Sequence, residues 1–205
     1  MIDIRRERKK VRIILESEEI ILSAALFVER PLRVGEELDP DEYDQWLLLR
    51  QYRPALNYAV SLLAARAHAT GELRTRLLRA GYRPVTADMV LCKLQKHGLT
   101  DDKAFARQWV EARTRHGLGP MRIRQELRRK GFTGEEAGQA AAQADPETQL
   151  REAVALAGRS LRRGKPGEDP RKQEQRALAL LARHGYPYTL ARKAVALARE
   201  NGGSA

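Results

Sequence analysis

A short pattern that occurs three times limits the folds open to this chain more than any other feature of its sequence. Two apolar residues lie four positions apart, and a glycine followed by an aromatic residue comes four positions later. The three copies are Leu73, Leu77, Gly81 and Tyr82; Ile123, Leu127, Gly131 and Phe132; Ala177, Leu181, Gly185 and Tyr186. This spacing places the apolar pair on one face of a helix that ends at the glycine. The glycines are 50 and 54 residues apart, so each copy belongs to a unit of about that length.

Each copy lies in the short second helix of a predicted three-helix unit. The predicted helices are 55–69, 71–80 and 84–97; 102–115, 120–130 and 133–144; and 147–162, 170–184 and 187–200. Hydrophobic residues make up 42% of the chain but aromatic residues only 5%, and a core of alanine and leucine suits closely packed helices. We therefore predict an all-α fold of tandem three-helix, helix-turn-helix-like repeats that form an elongated curved array.

The predicted domain boundaries follow these units. We expect an N-terminal segment with a short β-hairpin and a helix at 1–53, repeats at 54–98, 99–145 and 146–200, and a disordered tail at 201–205. The hairpin strands are predicted at Lys9–Leu15 and Glu19–Ser23, where β-branched residues concentrate. A helix capped by Asp39 is expected to end near Tyr52, because Pro54 disfavours helical backbone at the residue before it.

The second unit carries an unusual charge. Phe105 and Trp109 share an apolar face of its first helix, and Asp102 can cap the start of that helix. Packing in the core explains these two rings better than stacking on nucleic-acid bases. Ile123 and Leu127 form the apolar side of the next helix, and Arg122, Arg124, Arg128 and Arg129 are spread over roughly 160° of its remaining surface. Residues 103–130 contain nine Lys or Arg and two Glu, a net charge of +7. The alternative interpretation is a solvated helix face.

Net charge and cysteine content limit the class of protein. The net charge of +11 and pI near 10.1 favour a polyanion or an acidic protein surface as partner. The charge is uneven, because residues 13–48 carry −8 and residues 49–205 carry +15. Cys92 is the only cysteine, so no intrachain disulfide can form. We find no membrane-length apolar run and no signal peptide, and we expect a cytoplasmic protein.

No group of residues has the spacing of a catalytic or metal site. His97, His116 and His184 each precede a glycine at a predicted helix end, where a histidine can cap the last carbonyls. Asp101–Asp102 and Glu135–Glu136 fall at helix starts, where carboxylates oppose the helix dipole. Neither a Walker sequence nor a dinucleotide-binding fingerprint occurs. We therefore predict no enzymatic activity, no metal and no cofactor.

With these features in place, the chain resembles the RecX family of bacterial regulators of the RecA recombinase. The residues that carry the resemblance are Leu62–Arg66, Thr70–Leu73, Leu77 and Gly81; Leu99–Asp102, Phe105, Ala106, Trp109 and Arg113; and Ile123, Leu127, Lys130 and Gly131. The resemblance covers roughly 55–200, and the third repeat, with its predicted flexible loop at 162–170, matches least. It implies tandem three-helix repeats that lodge in the groove of the RecA filament on single-stranded DNA and inhibit ATPase and strand exchange.

Such a role makes the basic side chains candidate contacts with RecA or DNA. The candidates are Arg66, Arg107, Arg113, Arg115, Arg122, Arg124, Arg128, Arg129, Lys130, Arg162 and Arg163. We favour a monomeric, non-enzymatic modulator of the RecA filament. One alternative is a basic helical protein that binds nucleic acid without RecA, and another is a repeat scaffold that holds an acidic protein segment.

Overall fold

A computed structural model shows a mostly helical chain with a small N-terminal sheet. It describes residues 3–8, 10–16, 19–164 and 168–202. The strands are β1 (Asp3–Arg6), β2 (Lys10–Ile14) and β3 (Glu19–Ser23). The helices are α1 (Ala24–Glu29), α2 (Pro40–Ala65), α3 (Thr70–Ala80), α4 (Pro84–Lys96), α5 (Asp102–Arg115), α6 (Pro120–Arg129), α7 (Gly134–Ala142), α8 (Pro146–Arg162), α9 (Pro170–Arg183) and α10 (Tyr188–Gly202).

The chain divides into two compact units, 1–101 and 102–205. The predicted helical class built from three-helix repeats is confirmed, since α3 to α10 agree with the predicted helices to within two residues at each end. In the second unit, α5, α6 and α7 share one apolar core, and α8, α9 and α10 share another. The first repeat consists of α3, α4 and the C-terminal part of α2.

The N-terminal sheet has three antiparallel strands in the order β1-β2-β3, not the two of the predicted hairpin. β2 and β3 lie where the hairpin was expected, although Lys9 falls outside the described residues. The sequence carries no signal for β1, because Ile4 is its only apolar residue and shows no alternation. Ile4 pairs with Ile13, and β2 and β3 bury alternate residues against α1 and the start of α2.

Helix α2 continues through Pro54, so the expectation that it ends near Tyr52 is wrong. The boundary that we placed between residues 53 and 54 lies inside this 26-residue helix. Tyr43 and Leu47 pack against the sheet, and Ala55 packs in the core of α3 and α4. A proline inside a helix costs about 3 kcal/mol. Burial at both ends of α2 offsets that cost, which local propensity could not show.

Polar contacts fix α2 to the turn between α3 and α4. The buried Gln51 accepts a hydrogen bond from the amide of Arg83 at 2.9 Å through its side-chain oxygen. The Arg83 guanidinium donates to both carboxylate oxygens of Asp44, at 2.7 and 2.8 Å. Two side chains of α2 therefore hold the same turn.

In all three copies of the repeated pattern, the helix ends in the same backbone arrangement. The amide after each glycine donates to the carbonyl of the last buried leucine: Tyr82 to Leu77 at 3.2 Å, Phe132 to Leu127 at 3.2 Å, and Tyr186 to Leu181 at 3.1 Å. The glycines between them have φ values of 96° at Gly81, 97° at Gly131 and 85° at Gly185. This left-handed backbone favours glycine, and the bonds satisfy carbonyls that the helix leaves free.

Side-chain caps begin the later helices. Thr133 and Glu136 form a capping box on α7, and the Thr133 amide and hydroxyl, which donate to the carboxylate, lower the pKa of Glu136. Asp145 begins α8 and Asp169 begins α9 in the same manner. None of the helices within the described ranges combines the length and the apolar character that a membrane crossing requires.

The ends of the loop between α8 and α9 agree with the sequence prediction, whereas the predicted tail begins two residues too early. Arg162 is the last residue of α8 and Pro170 the first of α9, and residues 165–167 of the predicted loop lie outside the described residues. Asn201 and Gly202 end α10, so the predicted tail is wrong at its start. Its remainder, 203–205, also lies outside the described residues.

Replacing Pro54 tests the continuity of α2. Pro54→Ala restores a backbone donor and removes the ring clash with the preceding turn, so we expect the free energy of unfolding to rise by about 2 kcal/mol. Urea denaturation followed by circular dichroism measures this change. Arg53→Ala, at the exposed neighbouring position, should change stability by no more than about 0.5 kcal/mol. An unchanged or lowered stability for Pro54→Ala would contradict a continuous helix.

Truncating the apolar pair of α6 tests the core of the second repeat. Leu127 is fully buried, and Leu127→Ala should cost roughly 2–5 kcal/mol of unfolding free energy because it leaves a cavity. The matched variant Met121→Ala changes a side chain on the same helix that is 63% exposed, and should be nearly neutral. Equal effects of the two substitutions in thermal denaturation would refute this assignment of faces.

Candidate nucleic-acid interface

Helix α6 has an apolar face and a cationic face. Ile123 and Leu127 are fully buried against α5 and α7. Arg124, Arg128 and Arg129 are exposed. Since residues four apart share a helix face, the buried pair determines that the arginines point to solvent. The α6 basic face, defined as Arg122, Arg124, Arg128 and Arg129, is thus a product of core packing.

The charges of the α6 basic face are not neutralised by neighbouring acids. Within the described part of the chain, no carboxylate forms an ion pair with Arg124, Arg128 or Arg129. Arg122 donates to the side-chain oxygen of Gln125 at 3.2 Å, which leaves its charge uncompensated. The Arg124 guanidinium lies beside Gly138 of α7, where a missing side chain leaves room for it. These cations are available to an anionic partner.

A groove runs between α6 and α9. Its volume is about 350 Å³ and it is lined by Met121, Arg122, Arg124, Gln125, Arg128, Ala182, Arg183 and Gly185. None of these lining residues is acidic. Arg183 was not among the candidates from the sequence. A signal was available, since Arg79, Arg129 and Arg183 occupy the same position in the three repeats, two residues before the terminal glycine.

Two turns meet at the end of this groove by direct backbone contact. The Gly119 amide donates to the His184 carbonyl at 2.8 Å, and the Met121 amide donates to the Gly185 carbonyl at 3.1 Å. A Cβ on Gly119 would lie 2.5 Å from the carbonyl carbon of Gly185. A Cβ on Gly185 would overlap the backbone of Arg122. We call this contact the glycine junction. Neither position has room for a Cβ atom, so both must be glycine.

The histidines at these turns act in two different ways. His116 Nδ1 lies 2.6 Å from the Ala112 carbonyl of its own helix, as expected of a helix cap. His184 Nδ1 instead lies 3.0 Å from the Gly117 carbonyl, which belongs to the end of α5. The expectation that His184 caps its own helix is therefore wrong. Its side chain adds a third hydrogen bond to the glycine junction.

An aromatic cluster holds two of the predicted contact residues. Phe105 stacks on Trp109 with ring centroids 5.8 Å apart. The Lys130 ammonium and the Arg113 guanidinium each lie 4.2 Å from the Trp109 centroid. Arg113 also forms an ion pair with Glu126 at 2.9 Å. The Lys130 contact joins α5 to the end of α6, the Arg113 contact lies within α5, and together they cover the ring that a base would need for stacking.

Two further candidates are engaged in ion pairs. Arg115 pairs with Glu111, one turn earlier on α5. Arg66 pairs with Glu72 at 2.5 Å and belongs to the first compact unit. The structure therefore gives these side chains a local partner, in contrast to the α6 basic face.

Three candidates are exposed but lie away from the α6–α9 groove lining. Arg107 lines clefts between α5 and α7. Arg162 ends α8 and Arg163 follows it directly. The described residues contain no cluster of three or more His, Cys, Asp or Glu side chains that could hold a metal ion. Of the predicted contacts, the structure brings Arg122, Arg124 and Arg128 together in the lining of the α6–α9 groove, and it brings Arg113 and Lys130 together over Trp109.

Comparisons with known proteins agree with this architecture. The sequence model of the first three-helix domain of RecX matches residues 55–101, and that of the second three-helix domain matches residues 101–140. The chain is 39% identical over 157 residues to the regulatory protein RecX of Amycolatopsis mediterranei, covering 76% of this chain and 84% of that protein. It is 37% identical over 154 residues to the regulatory protein RecX of Mycolicibacterium smegmatis, covering 72% and 80%.

Solved structures show the same fold at lower sequence identity. A crystal structure of regulatory protein RecX superposes with a TM-score of 0.63 at 23% identity and covers 94% of this chain and 95% of its own. The crystal structure of RecX from Lactobacillus salivarius gives a TM-score of 0.68 at 19% identity and covers 74% and 98%. The matched domains and the identity to these relatives show that the chain belongs to the RecX family.

Proposed function

We propose that this protein regulates RecA by binding the RecA filament on single-stranded DNA and slowing its ATPase and strand exchange, without catalysis of its own. The observation that carries this proposal is the α6 basic face, in which Arg124, Arg128 and Arg129 are exposed and Arg122 is half-buried. None of the four has an acidic partner among the described residues, and the buried Ile123 and Leu127 orient the face. The relatives' description as regulatory proteins supports a role through a partner.

Electrostatics explains why such a face suits a nucleoprotein filament. Each phosphate neutralised by an arginine releases condensed counterions, so affinity gains a large entropic contribution that falls as salt rises. The guanidinium group also fits carboxylate and phosphate geometry through paired N–H donors. The four arginines of one helix can therefore contact phosphates and acidic side chains of the same filament.

Titration against RecA tests the proposal directly. Adding the purified protein to RecA, ATP and single-stranded DNA should slow ATP hydrolysis and strand exchange at protein concentrations equal to or below that of RecA. No effect on either rate over a wide titration would refute the proposal. Tight, strongly salt-dependent binding to bare DNA without any dependence on RecA would instead support the alternative of a simple nucleic-acid-binding protein.

Removing the α6 basic face should separate binding from folding. Changing all four of its arginines to Ala should leave thermal stability nearly intact, because exposed charges contribute below about 1 kcal/mol each. Filament binding should fall strongly. If the arginines bind single-stranded DNA, the slope of log affinity against log salt should become less negative by about 0.7 for each phosphate that the variant no longer neutralises.

The matched control removes equal charge elsewhere in the same unit. Arg171, Lys172, Arg192 and Lys193 are exposed on α9 and α10, and changing these four to Ala lowers the net charge by the same amount. This control should bind the filament nearly as well as the wild type. If the two four-alanine variants bind equally, net charge and not the α6 basic face determines binding.

A further inference from the structure

We propose that the groove between α6 and α9 is a composite phosphate-binding site for single-stranded DNA, in which Arg183 from the third repeat binds the same strand as the arginines of α6. The proposal rests on the proposed function and deepens it, because it names the ligand chemistry and adds a residue. The glycine junction is the positioning element of this site.

The lining of the groove favours a polymeric anion. Arg122, Arg124, Arg128 and Arg183 line it together and no acidic side chain does, so the site is strongly cationic. Arg124 and Arg128 are four residues apart and so about 6 Å apart along the helix axis. A row of guanidinium groups at a regular spacing suits a backbone that repeats its charge, and each group can donate two hydrogen bonds to one phosphate.

An apolar residue at the same groove suits a nucleotide better than a carboxylate. Met121 is 63% exposed and lines the groove together with the arginines and Gly185. A flexible thioether side chain adapts to irregular apolar surfaces, such as a sugar or the face of a base. Proteins that bind single strands combine a positively charged groove with side chains that contact the bases, most often aromatic ones, and Met121 supplies an apolar contact at this groove.

The glycine junction explains how an arginine of another repeat reaches this groove. Arg183 directly precedes His184, whose carbonyl accepts from Gly119 and whose ring contacts the Gly117 carbonyl. With the bond from the Met121 amide to the Gly185 carbonyl, these three bonds hold the end of α9 against the start of α6, and two of the three involve backbone atoms only. The position of Arg183 relative to Arg122 is thereby fixed by the chain itself.

The decisive measurement is the binding of the full-length protein to a thymidine oligonucleotide, followed by fluorescence anisotropy at about 50 mM salt. Arg183→Ala should weaken binding about tenfold, which is the lower range for the loss of a charge-assisted hydrogen bond. The slope of log affinity against log salt should become less negative by about 0.7. Arg192→Ala, an exposed arginine on α10, should have little effect. An oligonucleotide with neutral methylphosphonate linkages should not distinguish Arg183→Ala from the wild type.

The positioning role is tested without removing any arginine. Gly185→Ala forces the junction apart, so it should lower affinity at least as much as Arg183→Ala. Gly81→Ala is the matched control, because it has the same left-handed backbone cost but no atom within 4 Å of the added Cβ. Should Gly185→Ala fail to fold, Gly119→Ala tests the junction at a position with negative φ.

The outcomes separate this inference from the proposed function. If the four-alanine variant of α6 loses filament binding and Arg183→Ala does not, the composite site is overturned and the proposed function stands. If neither variant loses filament binding, the α6 basic face is overturned as the binding surface as well, whereas the proposed function itself is overturned only if the wild-type protein fails to bind and slow the RecA filament. Absence of binding to the charged oligonucleotide, or an equal reduction of affinity with the neutral one, overturns phosphate as the ligand.

Discussion

Burial of two apolar side chains on the short second helix of each repeat is the constraint on which the rest of this structure depends. In the second repeat Ile123 and Leu127 have no exposed surface, and their position fixes the direction of every other residue on α6. The same pair places Gly131 where the helix must end and Phe132 where its amide can close that end. Hydrophobic burial contributes most of the free energy here, and the direction of the cations is a consequence of it.

The helices were predictable because their signals are local. Proline or a capping residue at the start, glycine at the end and apolar residues four apart occur within each helix, so the second and third repeats agree closely with expectation. The course of α2 was not predictable in this way. Its continuation through Pro54 depends on burial of Tyr43 in one core and Ala55 in another, and those contacts are distant in sequence.

The candidate contact residues could also be identified from local sequence, but their roles depend on the tertiary structure. Arg113 and Arg128 have the same chemistry, but Arg113 lies over Trp109 and pairs with Glu126, whereas Arg128 faces a groove. Composition and helix periodicity identify both residues as cations, but they do not show which of the two is available to a partner. The role of Gly119 was also hidden, because the sequence predicts a helix break there and only the tertiary structure shows another backbone against it.

The continuity of α2 has a consequence for how the N-terminal segment can be studied. A truncation at residue 53 would cut this helix in its middle and remove Gln51 and Asp44, which hold the turn at Arg83. The first repeat would then lose the buried Gln51 and the half-buried Asp44 as polar partners, and its stability would change together with the deletion. Dissection of this region therefore requires substitutions on the sheet surface, with the full length of α2 left in place.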